Sequence, residues 1–170
     1  CYKNDMAGIG ARERAFCLIE GNECKENLAA GIGARHGAVV MLLHNKCLDN
    51  SLVAVGLRHG SIAYIMDNEL ARTGGMPPLI AVREGSSALI VGNTLKGGGV
   101  AGILVDGTAR IRGNRMEGGG KSGSAVWGWG KADLTIIGNR VDGYRNLLNS
   151  SGCKIKVVDN VIHNFQGAAI

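Results

Sequence analysis

The chain has 170 residues, of which 28 are glycine and only 2 are proline, and 45% are hydrophobic while only 4% are aromatic. The 19 lysines and arginines exceed the 14 aspartates and glutamates by 5, a charge too mixed with apolar residues for a disordered polycation. No apolar run is long enough to span a membrane, and no basic segment followed by an apolar stretch opens the chain. We therefore expect a folded chain with neither a membrane partner nor a signal peptide.

Seven asparagines divide the chain at nearly even intervals. They are Asn22, Asn45, Asn68, Asn93, Asn114, Asn139 and Asn160, separated by 23, 23, 25, 21, 25 and 21 residues. The residues five before, three before and two after each of them are apolar in all seven cases. This period of two predicts a strand with one inward face before every asparagine. A further apolar segment precedes it, for example at 30–35 and 53–58, so two or three strands are expected in each coil.

Coils of 21–25 residues are typical of the leucine-rich repeat and of the parallel β-helix. The first would show its fixed leucine string, whereas here glycine is spread through every coil and no window has a helical apolar stripe. The pattern therefore predicts a β-helix that fills residues 1–170 as one domain. The asparagines are predicted to stack at one corner, where their amides bond to the backbone and to each other in place of water.

Essentially the whole chain resembles a known repeat family, and one stretch shows the likeness best. The string Ile19-Glu-Gly-Asn-Glu-Cys-Lys-Glu-Asn27, followed by Ala30-Gly-Ile-Gly-Ala-Arg35, is similar to the repeat of the right-handed parallel β-helix family. The resemblance implies an all-β, right-handed, single-stranded parallel β-helix of about seven coils. That family includes bacterial carbohydrate-active proteins, mannuronan epimerases, a periplasmic copper-delivery component and the repeat domain of an F-box ubiquitin-ligase adaptor. The resemblance is specific for the fold, because the repeated residues are structural.

The two ends of the chain both fall within a coil. Cys1 stands 23 residues before Cys24, and Ile170 stands ten residues after Asn160. The end coils of a solenoid need polar caps, since they otherwise leave apolar core and edge amides open. We therefore expect the chain to be a stretch of a longer solenoid.

A column of arginines recurs at one coil position. Its members are Arg12, Arg35, Arg58 and Arg83, and Asp106 ends the column. In one interpretation this is a solvated corner, where the arginines lie flat and are interleaved with Glu13 and Glu84. In the other it is a track for an acidic polysaccharide such as a polyuronate, since guanidinium suits planar contact with carboxylates. Specific nucleic-acid binding is not expected, because a reading helix and a set of stacking aromatics are both missing.

Aromatic side chains offer a second feature suited to sugars. The exposed aromatic candidates are Trp127, Trp129, Tyr64 and Tyr144. The two tryptophans alternate within 125–130, so the period of two points both indoles outward, one rung past Asp106. They are therefore candidate ligand-binding residues together with the arginine column.

Candidates for catalysis are few. Glu84 and Asp106 fall on neighbouring rungs, with Lys131 one rung beyond, and paired carboxylates or a base beside a cation are what carbohydrate chemistry needs. The family's hydrolase signatures, paired aspartates and an isolated Gly-His-Gly, are missing. We therefore expect no intact active site and no cofactor. If the parent protein is an enzyme, the resemblance implies a carbohydrate-active lyase, epimerase or hydrolase.

The five cysteines are predicted to be core or turn thiols. Cys1, Cys24 and Cys47 share one inward column, Cys17 lies in another, and Cys153 lies at a turn. The spacings of a zinc site do not occur, so no metal is expected. Thiols without evident partners favour a reducing compartment.

The outward side of the strand before each asparagine departs from a solvated surface. In coils two to four its residues are Met41, Leu43, Tyr64, Met66, Leu89 and Val91, whereas coil five carries Arg110 and Arg112. Six apolar side chains on adjacent rungs make a patch of several hundred Å², the size that marks an interface. We therefore predict a non-catalytic scaffold that associates with itself or with a partner protein through this patch. Polysaccharide binding or processing is the alternative.

Overall fold

The protein forms 21 strands and no helix within residues 1–120 and 122–167, which the computed structural model describes. Ile170, which supported the expectation about the chain end, lies outside these residues. In chain order the strands are β1 (Ile9–Ala11), β2 (Phe16–Glu20), β3 (Glu23–Lys25), β4 (Ala30–Ala34), β5 (Val39–Leu43), β6 (Lys46–Leu48), β7 (Val53–Leu57), β8 (Ile62–Met66), β9 (Glu69–Ala71), β10 (Ile80–Val82), β11 (Ser87–Val91), β12 (Thr94–Lys96), β13 (Ala101–Val105), β14 (Thr108–Arg112), β15 (Arg115–Glu117), β16 (Ser124–Trp129), β17 (Asp133–Ile137), β18 (Arg140–Asp142), β19 (Asn146–Ser151), β20 (Lys154–Val158) and β21 (Val161–His163).

Each coil contributes one strand to each of three parallel sheets. Sheet 1 has the order β1-β4-β7-β10-β13-β16-β19, sheet 2 the order β2-β5-β8-β11-β14-β17-β20, and sheet 3 the order β3-β6-β9-β12-β15-β18-β21. The register survives the changes in coil length, since Ile65 pairs with Ile90 and Ile90 with Ile111. Insertions of two residues therefore fall in the turns, and the predicted β-helix of seven coils is confirmed.

The inward side chains of the three sheets form one narrow core. Leu42, Ile65, Ile90, Ile111 and Ile136 stack at the same position of successive coils and are each at most 1% exposed. Side chains of this size suit a thin solenoid, in which each rung packs on the rungs directly above and below it. The inward positions predicted from the period of two are confirmed.

Tyr144 is buried, so the expectation that it is an exposed aromatic is wrong. It is 1% exposed, and its hydroxyl donates a hydrogen bond to the Gly97 carbonyl at 2.6 Å. Gly102 provides the room, because a Cβ at that position would come within 2.8 Å of the Tyr144 Oη. Burial raises the pKa of Tyr144 above its ordinary value.

The asparagine ladder runs along the corner between sheets 2 and 3. Asn45 Oδ1 accepts hydrogen bonds from the backbone N–H and the side-chain amide of Asn22, at 2.9 and 3.2 Å. Asn45 Nδ2 donates to Asn68 Oδ1 at 3.1 Å and to the Ile19 carbonyl at 2.8 Å. The same pattern continues to Asn160. Each amide thus replaces water for buried backbone groups, as predicted.

A second, shorter ladder lies at the end of sheet 3 in the first coils. Asn27 donates to Asn50 Oδ1 at 2.7 Å, and Asn4 donates to Asn27 at the same distance. The ladder ends at Arg72, whose guanidinium donates to the backbone carbonyls of Asn50 and Leu52. A long side chain from coil 3 thus takes the place of the next amide.

Candidate functional site

The apolar face is the outward side of sheet 2 in coils 1 to 4. It consists of Phe16, Leu18, Val39, Met41, Leu43, Ile62, Tyr64, Met66, Leu89 and Val91. The register sets these side chains in three adjacent columns, so that Met41 lies beside Tyr64 and Tyr64 beside Leu89. Phe16 is 73% exposed at the first coil, whereas Met41 and Leu89 are half-buried between neighbouring rungs. The result is a continuous apolar strip that crosses four rungs.

Only part of this strip was predicted from the sequence, namely the residues four and two before each asparagine. The position six before, which holds Phe16, Val39 and Ile62, was missed. These residues follow the same period of two, and Ile62 is 42% exposed. Extending the alternation by one step toward the start of the strand would have found them.

In coil 5 the outward side of sheet 2 becomes polar. Arg110 donates to the Asp133 carboxylate at 2.9 Å, and this bond lowers the pKa of Asp133. The Arg112 guanidinium is exposed and has no hydrogen bond or ion pair with the described residues. Lys154 and Lys156 are exposed in coil 7. The strip is therefore bounded by basic side chains at one end.

The arginine column lies at the end of sheet 1. The pairings of the residues just before them place Arg12, Arg35, Arg58 and Arg83 on successive rungs, followed by Asp106. The guanidiniums of the first three are exposed and form no hydrogen bond or ion pair with residues 1–120 and 122–167. Arg83 differs, because its Nε lies 3.3 Å from the Asp106 carboxylate. Three free guanidiniums thus line one edge of the rod.

The interpretation in which glutamates interleave the arginines is wrong. The Glu13 carboxylate lies 3.3 Å from Nδ1 of His36, and the Glu84 carboxylate lies 3.0 Å from Nε2 of His59. The two imidazoles stack with their centroids 4.6 Å apart. All four residues have positive φ, from 54° to 57°, which turns their side chains away from the neighbouring arginines. Both glutamates therefore contact the stacked histidines and not the arginines.

Both tryptophans point outward, as the alternation predicts. Trp127 and Trp129 pack edge to face with centroids 5.9 Å apart, and the Arg83 guanidinium lies 5.5 Å from the Trp129 ring centre. Trp127 also borders an open depression of about 480 Å³ that Asn146 and Asn149 help to line. Asn146 Oδ1 is shielded from solvent and accepts no hydrogen bond from the described residues. The tryptophans and the arginine column thus meet at Arg83.

Comparison with known families gives one match. The family described as right handed beta helix region matches residues 1–141. The chain belongs to the right-handed β-helix family. Comparisons with curated proteins and with solved structures give no significant match. Coil 7 lies beyond the matched residues, and its strands continue all three sheets of the β-helix.

In this right-handed β-helix the predicted catalytic residues serve separate contacts. The Glu84 carboxylate faces His59, and Asp106 accepts a hydrogen bond from the Glu84 backbone N–H at 2.6 Å. Lys131 is exposed at the turn after β16. The three residues form no ion pair with one another. Their catalytic role stays a prediction.

The cysteines of this β-helix occupy the predicted places. Cys24 and Cys47 are fully buried on adjacent rungs, and Cys1 aligns with them at the exposed first rung. The neighbouring Cys24 thiol and burial raise the pKa of Cys47.

Within residues 1–120 and 122–167, three or more His, Cys, Asp or Glu side chains nowhere converge as metal ligands. The same residues contain no helix suited to crossing a membrane.

Proposed function

We propose that this β-helix is a non-catalytic scaffold that binds protein through the apolar face. The observation that carries the proposal is the strip of ten outward apolar side chains, continuous over four rungs. An exposed apolar strip of this extent marks a surface that another molecule covers. Its flatness suits a broad protein surface rather than a small ligand, since small ligands prefer concave sites.

The fold itself does not require this strip. Strands β14 and β20 keep the register and apolar inward residues, yet their outward positions include Arg110, Arg112, Lys154 and Lys156. Since the strands form with polar outward residues, the apolar ones in coils 1 to 4 serve another purpose. Removing their surface from water stabilises a complex by roughly 25 cal/mol per Å² before the costs of association.

Site-specific photo-crosslinking tests this proposal. A benzophenone amino acid is placed at Tyr64, within the apolar face, and as a matched control at Lys156, on the same sheet in coil 7. In an extract of its own cells, position 64 should form adducts with protein, either another copy or a different chain. Adding Leu43→Lys and Met66→Lys should remove these adducts without changing the circular dichroism spectrum. If position 64 gives no more adduct than position 156, the apolar face is not a binding surface.

A second candidate function is the binding of an acidic polysaccharide along sheet 1. The specific observation in its favour is that Arg12, Arg35 and Arg58 are free and evenly stacked, about 4.8 Å apart. The column leads to the tryptophan pair, and a planar indole offers a platform for a sugar ring. Asn146 and Asn149 supply amides beside Trp127. Titration with polyuronate, described in the Discussion, tests this candidate.

A further inference from the structure

We infer that the occupant of the apolar face is a second copy of this chain, docked antiparallel so that coil 1 of each copy covers coil 5 of the other. The inference rests on the proposed function, because it names the partner of the same face. Its basis is the distribution of charge along sheet 2. Glu20 carries the acidic end of the strip in coil 1, and Arg110 and Arg112 carry the basic end in coil 5.

A two-fold axis along β8 brings these ends together. Such an axis lies between the two facing sheets and reverses the order of the coils, so that coil 1 of one copy faces coil 5 of the other. Each position along a strand then faces the same position along a strand of the other copy. Glu20 of one copy then faces Arg112 of the other, and this contact occurs twice in the dimer. Both residues are exposed, and the Arg112 guanidinium has no hydrogen-bond or ion-pair partner among the described residues of its own chain. Within the same residues, the Glu20 carboxylate pairs only with the exposed His44, at 3.5 Å.

The same axis places most of the apolar residues of coils 2 to 4 on one another. Coil 2 faces coil 4, so Met41 lies opposite Leu89 and Leu43 opposite Val91, while Tyr64 of β8 faces its own copy. Because large side chains face medium ones away from the axis, the two surfaces can interdigitate as stacked sheets do. Phe16 and Leu18 of coil 1 lie opposite Thr108 and Arg110 of coil 5, so the apolar face is complementary to itself over its three central coils.

The other two-fold arrangement is unfavourable. An axis along the rod would place each coil on its own copy and bring the two Arg110 guanidiniums together at the centre of coil 5. Like charges directly opposed at an interface are repulsive. The charge pattern therefore selects the antiparallel dimer.

The area of the face fits a weak dimer. Five rungs at about 4.8 Å and five residues at about 3.3 Å give a planar footprint of about 400 Å² per copy. Two copies therefore bury about 800 Å² of planar area. The accessible surface of the protruding side chains adds to this area and brings the total close to about 1,200 Å², the lower end for specific interfaces. We therefore expect dissociation in the micromolar range.

Sedimentation velocity of the purified chain over a range of concentrations tests the inference. The wild-type protein should shift from monomer to dimer. Glu20→Arg and Arg112→Glu should each weaken the dimer about tenfold, because two attractive contacts become repulsive, and the double variant should restore it. Leu43→Lys with Met66→Lys should abolish the dimer. Ile137→Lys is the matched control, since it adds a lysine to the same sheet in coil 6, outside the overlap, and should have no effect.

Each alternative outcome overturns a defined part of the inference. A wild-type protein that stays monomeric to about 1 mM would exclude the second copy as the occupant, whereas the proposed function would fail only if the crosslinker at position 64 also captured no other protein. A dimer that both single charge reversals leave unchanged, or that the double variant fails to restore, would exclude the antiparallel register. Thermal unfolding of every variant identifies any loss of dimer that comes from loss of folding.

Discussion

Coils 2 to 4 and coil 5 have the same apolar inner side and opposite outer sides on sheet 2. Ile90 in coil 4 and Ile111 in coil 5 are paired neighbours in the core, each at most 1% exposed. The residue just before each of them points outward, and at this position coil 4 has Leu89 whereas coil 5 has Arg110. The comparison shows that the fold determines the inner side of every rung and leaves the outer side free. Features of the outer side are therefore the ones that carry information about function.

One of the two largest expected effects comes from the inner side. Ile90→Ala and Ile111→Ala should each lower the free energy of unfolding by about 2 to 5 kcal/mol, because each leaves a cavity in a thin core that cannot collapse easily. The two losses should be similar, although the outer sides of the two coils differ. Urea unfolding measures both, with Leu89→Ala as the outward control that should cost less. Losses below about 1 kcal/mol at both isoleucines would contradict the equivalence of the inner sides.

The next effect tests the corner that all coils share. Asn93→Ala removes the acceptor of the Asn68 backbone N–H and a donor to the Ile65 carbonyl, both buried. Leaving such groups unsatisfied costs about 1 to 3 kcal/mol each, so the free energy of unfolding should fall by about 2 to 6 kcal/mol. Asn22→Ala is the matched control at the end of the ladder. Asn22 is half-buried, and its loss should cost about 1 kcal/mol. Equal losses at the two positions would mean that burial does not determine the value of the ladder.

The inner side was predictable from sequence because its signal repeats. Positions such as Ile65 recur with each asparagine, and one repeating pattern fixes strand, register and inward face together. The turns from sheet 3 to sheet 1 differ in length and carry no such period. Tyr144 is buried where Gly102 leaves room for its hydroxyl and the Gly97 carbonyl accepts its hydrogen bond, and both glycines lie more than 40 residues earlier in the chain. The partner of Glu13 likewise depends on side-chain directions in a left-handed turn, which spacing alone does not reveal.

A pair of tyrosines sharpens the contrast between inside and outside. Tyr144→Phe removes the buried hydrogen bond to the Gly97 carbonyl and should cost about 1 kcal/mol near neutral pH, whereas Tyr64→Phe on the apolar face should change the stability of the monomer little. Because burial raises the pKa of Tyr144 in the folded state, the unfolded chain ionises first. This contribution to stability is therefore present below the ordinary tyrosine pKa of about 10 and falls as the pH rises above it.

Unfolding measured from pH 8 to pH 11 checks the sign. The stability difference between the wild-type protein and Tyr144→Phe should shrink as the pH rises above about 10, whereas the difference between the wild-type protein and Tyr64→Phe should stay small throughout. An unchanged difference between wild type and Tyr144→Phe across pH 10 would contradict the raised pKa.

The smallest expected effect concerns the arginine column, the outward feature that coils 1 to 4 share on sheet 1. If the column binds a polyuronate, Arg35→Ala or Arg58→Ala should each weaken binding by about 1 kcal/mol or more, the scale of a charge-assisted hydrogen bond. Added salt should weaken binding steeply, because screening reduces the attraction at every rung. Calorimetric titration with alginate or pectate measures both effects. Lys156→Ala is the matched control, because it removes one exposed positive charge from sheet 2 and should change binding much less. Absence of binding to alginate, pectate and heparin at low salt would leave these arginines as a solvated corner. The apolar face would then be the one outward feature of coils 1 to 4 to which a function is proposed.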